Sequence, residues 1–149
     1  MKTYRIIGIS VLIGLIIFTS CNSKQNLTSI EMNETRSEKR NLKLTVMSGF
    51  EGDQKTISEN ATSEIIKSTM QSINWEEFHI VQLEDLNSNG FKALHVSGSL
   101  SEDGLASGLV TDDDHILITK PIKSVDQMTE ILLDFLKGED VWRNKYEYE

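Results

Sequence analysis

The sequence predicts an α+β domain: an antiparallel β-meander of four to five strands with two helices packed on one face, in the order β-α-β-β-β-β-α. Three observations carry that reading. Helical periodicity occurs in two places only, near residues 58–72 and 124–137. Between them, residues 78–119 hold four β-rich runs. The connections between those runs are four to eight residues long. That suits hairpins and is too short for the crossover that parallel strands require.

Leu42, Leu44 and Val46 alternate with Lys43 and Thr45 and form a short strand. Ser48 to Lys55 holds two Gly and an Asp and reads as a loop. From Ser58 to Ser72, the apolar residues Ala61, Ile65, Ile66 and Met70, with Ile73 just beyond, make one helical stripe. The period then changes to two. Phe78–Leu83 and Phe91–Val96 are strands joined by the turn chemistry of Asp85 to Gly90, and Ser97-Gly98-Ser99 closes the second. Gly104–Val110 and His115–Thr119 complete the meander, and Pro121 ends it. Ser124 and Gln127 form a capping-box pattern ahead of Val125, Met128, Ile131, Leu132, Phe135 and Leu136. Gly138 is the expected helix stop. Trp142, Tyr146 and Tyr148 follow in a charged tail, expected to pack back over the domain edge.

A chain of 149 residues leaves room for one such domain. With 15 basic and 23 acidic residues its formal charge is −8, which argues against nucleic acid as the partner. A single cysteine excludes a disulfide framework and any multi-cysteine zinc or iron–sulfur site.

That cysteine ends a segment with its own logic. Lys2 and Arg5 give a positive start, Ile6 to Phe18 is a thirteen-residue apolar run, and Thr19 and Ser20 are small. Spanning a bilayer takes about 20 apolar residues, so this is the pattern of a secretory signal. Phe18-Thr19-Ser20-Cys21 resembles the lipobox of bacterial lipoproteins, with Phe18 in the place usually held by Leu. The resemblance implies a signal peptide over residues 1–20 and lipidation of Cys21 as the first mature residue. The protein would then be anchored on the cell envelope, with a polar tether over residues 21–41 and one folded domain over 42–149. Loss of Lys2 and Arg5 leaves 13 basic against 23 acidic residues, net −10, and no free thiol.

The folded region carries few motifs with chemistry. Asp85-Leu86-Asn87-Ser88-Asn89-Gly90 copies the first half of a calcium loop, but the twelfth position, where a bidentate Glu is needed, is Val96. Asn-Gly between two β runs points to a hairpin instead. His79, His95 and His115 fall on separate strand positions and read as independent residues. No nucleophile elbow, zincin helix or phosphate loop occurs, and neither a cofactor nor a metal is expected. Two acidic hairpin tips remain, Glu102-Asp103 and Asp112-Asp113-Asp114, together with Trp142 and Tyr146 of the tail. These are the candidate partner-binding residues, because exposed aromatic anchors and complementary charge favour association.

Asn74-Trp75-Glu76-Glu77-Phe78 enters a strand, Gly98 and Gly104-Leu105 flank a hairpin, Phe135 to Trp142 closes the last helix, and Tyr146-Glu147-Tyr148 ends the chain. This order resembles small immunity-type proteins of bacterial toxin systems, including those that protect against secreted deaminases and type VI effectors. It covers about two-thirds of the mature chain, with Tyr148 where such chains carry Trp. The resemblance implies a non-catalytic scaffold and a toxin domain as protein partner, and the net charge of −10 with two acidic tips fits a basic one. It supplies no residue roles. The alternative is an accessory or structural envelope lipoprotein that binds another envelope component.

Overall fold

The computed structural model describes residues 40–49, 52–102 and 104–149. The signal segment, Cys21, most of the tether, and Asp103 lie outside the described residues. The elements are β1 (Leu42–Ser48), β2 (Lys55–Ser58), α1 (Ser63–Ser72), β3 (His79–Asp85), β4 (Lys92–Ser99), β5 (Gly104–Thr111), β6 (His115–Leu117), α2 (Val125–Lys137) and α3 (Glu139–Lys145). All strands join one sheet in the order β2-β1-β3-β4-β5-β6, and every neighbouring pair is antiparallel. The α+β class and the meander from β3 to β6 match the sequence expectation. Among the described residues the sheet has six strands, not four to five, and there are three helices, not two.

Local chemistry explains the helix starts. Thr62 Oγ1 accepts the Ile65 amide at 3.3 Å and begins α1. Ser124 Oγ accepts the Gln127 amide at 3.2 Å, while Gln127 Oε1 reaches back to the Lys123 amide at 2.6 Å. The capping box therefore forms, displaced by one residue on its return arm.

Period-two alternation then divides the sheet into unlike faces. Leu44, Val81, Leu83, Leu94, Val96 and Leu109 face the helices and meet Ile66, Met70, Met128, Leu132 and Phe135 in one core. Lys43, Gln82, His95 and Gly108 fall on the other face, which no described helix covers.

The two additional elements gave weak sequence signals for identifiable reasons. β2 is exposed or half-exposed throughout and holds only one apolar residue, Ile57. It exists because its backbone ladders onto β1, with an irregular register between Leu44 and Thr45. α3 follows Gly138, whose φ of 153° ends α2 and turns the chain into a new helix. Glu139 and Asp140 in its first turn and Arg143 and Lys145 in its last complement the helix dipole. Beyond α3 the chain pairs with β6: the Leu117 and Glu149 amides exchange bonds with each other's carbonyls at 2.8 and 3.0 Å. The tail thus packs back on the domain, as expected.

Trp142 closes the core. It is 1% exposed, edge-on to Phe135 at 5.8 Å and 4.5 Å from the Tyr148 ring. Trp142→Ala should lower stability by about 3–5 kcal/mol, as truncating a buried Trp does. Urea unfolding measures it, and a loss under about 1 kcal/mol would mean that α3 is not part of the cooperative core.

Candidate functional site

The antiparallel order puts the β3–β4 and β5–β6 turns at the same end of the sheet. At that end Asp112 Oδ2 accepts the Phe91 amide at 2.9 Å, joining the two turns directly. Gly90, at φ 91°, makes this approach feasible: a Cβ there would lie 2.3 Å from Asp112 Oδ2. The β5–β6 turn is closed by Thr111, whose amide donates to the Asp114 carbonyl at 2.8 Å and whose Oγ1 accepts the Asp114 amide at 3.1 Å. Asp114 Oδ1 accepts the His115 amide at 2.8 Å.

The β3–β4 turn is braced from the other side. Asp85 pairs with Arg40 at 2.5 Å and accepts the Asn87 amide at 3.1 Å. Asn87 Oδ1 accepts the Asn41 amide at 3.0 Å. Arg40 and Asn41, which the sequence placed in the tether, are thereby attached to the domain. The oxygens at Asp85 and Asn87 that copy a calcium loop are used in holding the turn.

These bonds place three exposed acids, Asp112, Asp113 and Asp114, at the same sheet end as two exposed apolar side chains, Phe91 at 40% and Leu86 at 42%. The sequence reading identified the acids and missed the apolar pair. The β-rich run in the sequence starts at Phe91, whereas the ladder begins at Lys92. The Asn-Gly turn immediately before Phe91 was the signal that it stands at a tip.

The other candidates lie elsewhere. Glu102 is exposed at the opposite end, where its amide donates to Ser99 Oγ at 3.1 Å. Its neighbour Asp103 is outside the described residues. Trp142 is corrected outright: it is a core residue and cannot meet a partner. Tyr146 is half-buried, and its hydroxyl donates to Asp134 at 2.9 Å. Asp134 also receives Lys137 at 2.8 Å and Lys145 at 2.6 Å. Burial alone would raise that carboxyl, but the three donors outweigh it and hold it below its ordinary range. Burial pushes the Tyr146 hydroxyl up to about 12. The group stitches α2 to α3; Tyr146 belongs to it more than to any surface.

The histidines are not independent either. His95 of β4 and His115 of β6 bring their Nε2 atoms to 3.0 Å on the helix-free face. Gly108 of β5 pairs with His95 and lies between the two rings. A Cβ there would meet His95 Nε2 at 2.5 Å and His115 Nε2 at 2.7 Å. A bare glycine in mid-strand was the readable sign of this approach. Burial, and secondarily His115, push the His95 imidazole down from 6.5 to about 4. His79 is separate, edge-on to Trp75 at 6.1 Å.

No protein-family model, no curated protein and no solved structure matches this chain.

The His95 shift has a consequence for stability. As pH falls from about 7 to about 4, the unfolded chain takes up a proton at this position and the folded chain does not. Stability present above pH 6.5 is therefore lost across that window, by on the order of 3 kcal/mol at most. Urea unfolding of the protein and of His95→Gln at pH 7, 5.5 and 4.5 isolates the effect from the carboxylates. Parallel pH profiles for the two would remove it.

Proposed function

We propose that this protein is a non-catalytic binding protein of the cell envelope, held on a membrane by lipid at Cys21, that neutralises a basic toxin domain in the manner of immunity proteins. One observation carries the reading: a braced sheet end that presents Asp113 and Asp114 and, at the same end, exposed Phe91 and Leu86. An apolar anchor with an acidic margin suits a basic protein surface. The ring and the aliphatic side chain supply contact area, and the acids accelerate encounter. The bracing bonds matter equally, because a tip already fixed in one shape loses little entropy on binding. The signal-like N-terminus and Cys21 support the envelope location and the lipid tether. The immunity resemblance supports the class of partner.

The acids of the tip are not equivalent as probes. Asp112 holds the Phe91 amide, so changing it disturbs the turn as well as its charge. Asp114 likewise holds the His115 amide, so Asp113→Lys alone is the variant that leaves both bonds in place. Paired with the toxin encoded by an adjacent gene, this variant should associate on the order of tenfold more slowly at low salt, with the difference shrinking as salt rises. Phe91→Ser should instead speed dissociation. Full protection in co-expression by both variants, at unchanged protein level, would remove the hairpin end as the binding surface.

The tether is tested separately. Cys21→Ala should move the protein from the membrane fraction to the soluble one and abolish fatty-acid labelling. A variant that fractionates and labels like the parent would overturn the lipid anchor.

A further inference from the structure

We propose that His95 and His115 form a two-imidazole site for a zinc-type divalent cation on the helix-free face of the sheet, with Gly108 as its floor. The sequence reading expects no metal, because the three histidines lie on separate strands. The register of β4, β5 and β6 is what brings two of them together.

Two strands on either side of a shared neighbour stand about 9–10 Å apart, which keeps most of their side chains from meeting. Here β5 is the shared neighbour, and Gly108 lies opposite His95 on one side and Leu117 on the other. With no side chain between them, both rings lean inward until their Nε2 atoms are 3.0 Å apart. The bare glycine is a condition of that approach. A Cβ at this position would sit 2.5 Å from one nitrogen, 2.7 Å from the other and 3.0 Å from Leu117 Cδ2. The nitrogens therefore lie directly over the strand, with backbone below and solvent above. His115 is exposed and His95 half-buried, so an ion reaches them without any opening of the sheet.

The spacing suits a tetrahedral ion. Zinc–nitrogen bonds are about 2.0–2.1 Å, and the middle of an imidazole lies about 1.1 Å further on, so two rings on tetrahedral positions have centroids about 5.2 Å apart. The centroids of His95 and His115 are 5.2 Å apart. Nitrogens on such an ion are about 3.3 Å apart, so each ring keeps its place and pivots by roughly 35° to turn its lone pair from the other ring to the ion. Imidazole nitrogen selects zinc, nickel and copper, whereas calcium and magnesium require oxygen.

In the metal-free pair one Nε2 carries the hydrogen that the other accepts. When the ion takes both lone pairs, that hydrogen moves through water to the Nδ1 of its own ring, and both imidazoles stay neutral. Water satisfies the N–H of exposed His115. Nδ1 of His95 is buried and has no hydrogen-bond partner, so its N–H is left unsatisfied in the metal-bound form. That lowers the affinity below that of zinc sites whose histidines are held by an outer acceptor. Among the described residues no group of three or more His, Cys, Asp and Glu converges to hold a metal. Those residues thus supply two imidazoles, and water takes the remaining positions.

The test is titration of the full-length, untagged, chelator-stripped protein in detergent micelles with zinc at pH 7.5, read by calorimetry and by ¹⁵N imidazole NMR. One ion should bind per chain, and the Nε2 resonances of His95 and His115 should move to those of coordinated nitrogen while His79 stays unchanged. His115→Ala, at an exposed position, should weaken binding tenfold or more. Gly108→Ala keeps both histidines and separates their nitrogens, and it should weaken binding by about tenfold as well. His79→Gln should bind like the parent. Zinc taken up by the carboxylates of this acidic chain would survive both His115→Ala and Gly108→Ala. That result, or unmoved His95 and His115 nitrogens at saturating zinc, would overturn the site. No partner enters these measurements, so their outcome is independent of the hairpin's binding role.

Discussion

The contact on which the rest of this structure depends is Phe135 against the sheet. Its side chain is fully buried in the last turn of α2, and through it the helix layer is joined to what lies around it. Trp142 of α3 stands edge-on to its ring. Arg40 lies 4.2 Å above the ring centroid and also donates to the Phe135 carbonyl. The same guanidinium then reaches Asp85, the last residue of β3 before the β3–β4 turn. One buried aromatic thus connects the core, the point where the chain enters the domain, and the end of the sheet that carries the exposed acids. Burial of this size, roughly 1.5–3 kcal/mol per large apolar side chain, exceeds what any surface ion pair contributes. The polar bracing organises a position that the apolar packing has already determined.

A single helix layer also decides what the other sheet face can be. With the described helices on one side only, small or polar residues such as Thr45, Ala93, Ser97 and Gly108 fill positions that would be apolar in a sandwich. Several are nonetheless sheltered: Thr45 is 2% exposed and takes a bond from Gln54 at 2.9 Å. His95 is likewise desolvated by burial while sitting on the helix-free face. A histidine desolvated without a carboxylate partner stays neutral. The imidazole pair is therefore a product of the layer arrangement as much as of the residues that form it.

What could be read in the sequence follows how each element is stabilised. α2, the β3–β6 meander and the strand alternation of β1 are built by apolar burial, and burial leaves a periodic trace. β2 is built by backbone ladder bonds, which any residue can make, so its Lys-Thr-Ile-Ser sequence carried little information. α3 was hidden behind Gly138, which serves both as the stop of one helix and the start of another. Trp142 illustrates a related limit: an aromatic in a charged heptad looks like an anchor for a partner until the neighbouring helix is seen to need it. Composition located the acidic tips. Contact between Asp112 and Phe91, or between His95 and His115, depends on register across strands 20 or 21 residues apart. No local pattern encodes that distance. Only Gly90 and Gly108, bare where another chain element comes close, marked it.

The three adjacent aspartates show how one short run can divide its work. Like charges in sequence repel, and a turn of three free carboxylates would splay unless something held it. Asp112 is turned inward to the neighbouring amide, and Asp114 caps the start of β6 at the His115 amide. Both use their charge on backbone N–H groups, where it strengthens the bond, and both keep some of that charge exposed to water. The flanking acids thereby hold the turn that presents Asp113. A surface built this way is rigid because its charged groups are also its structural groups. Its capacity to attract a basic partner and its resistance to deformation therefore rise and fall together.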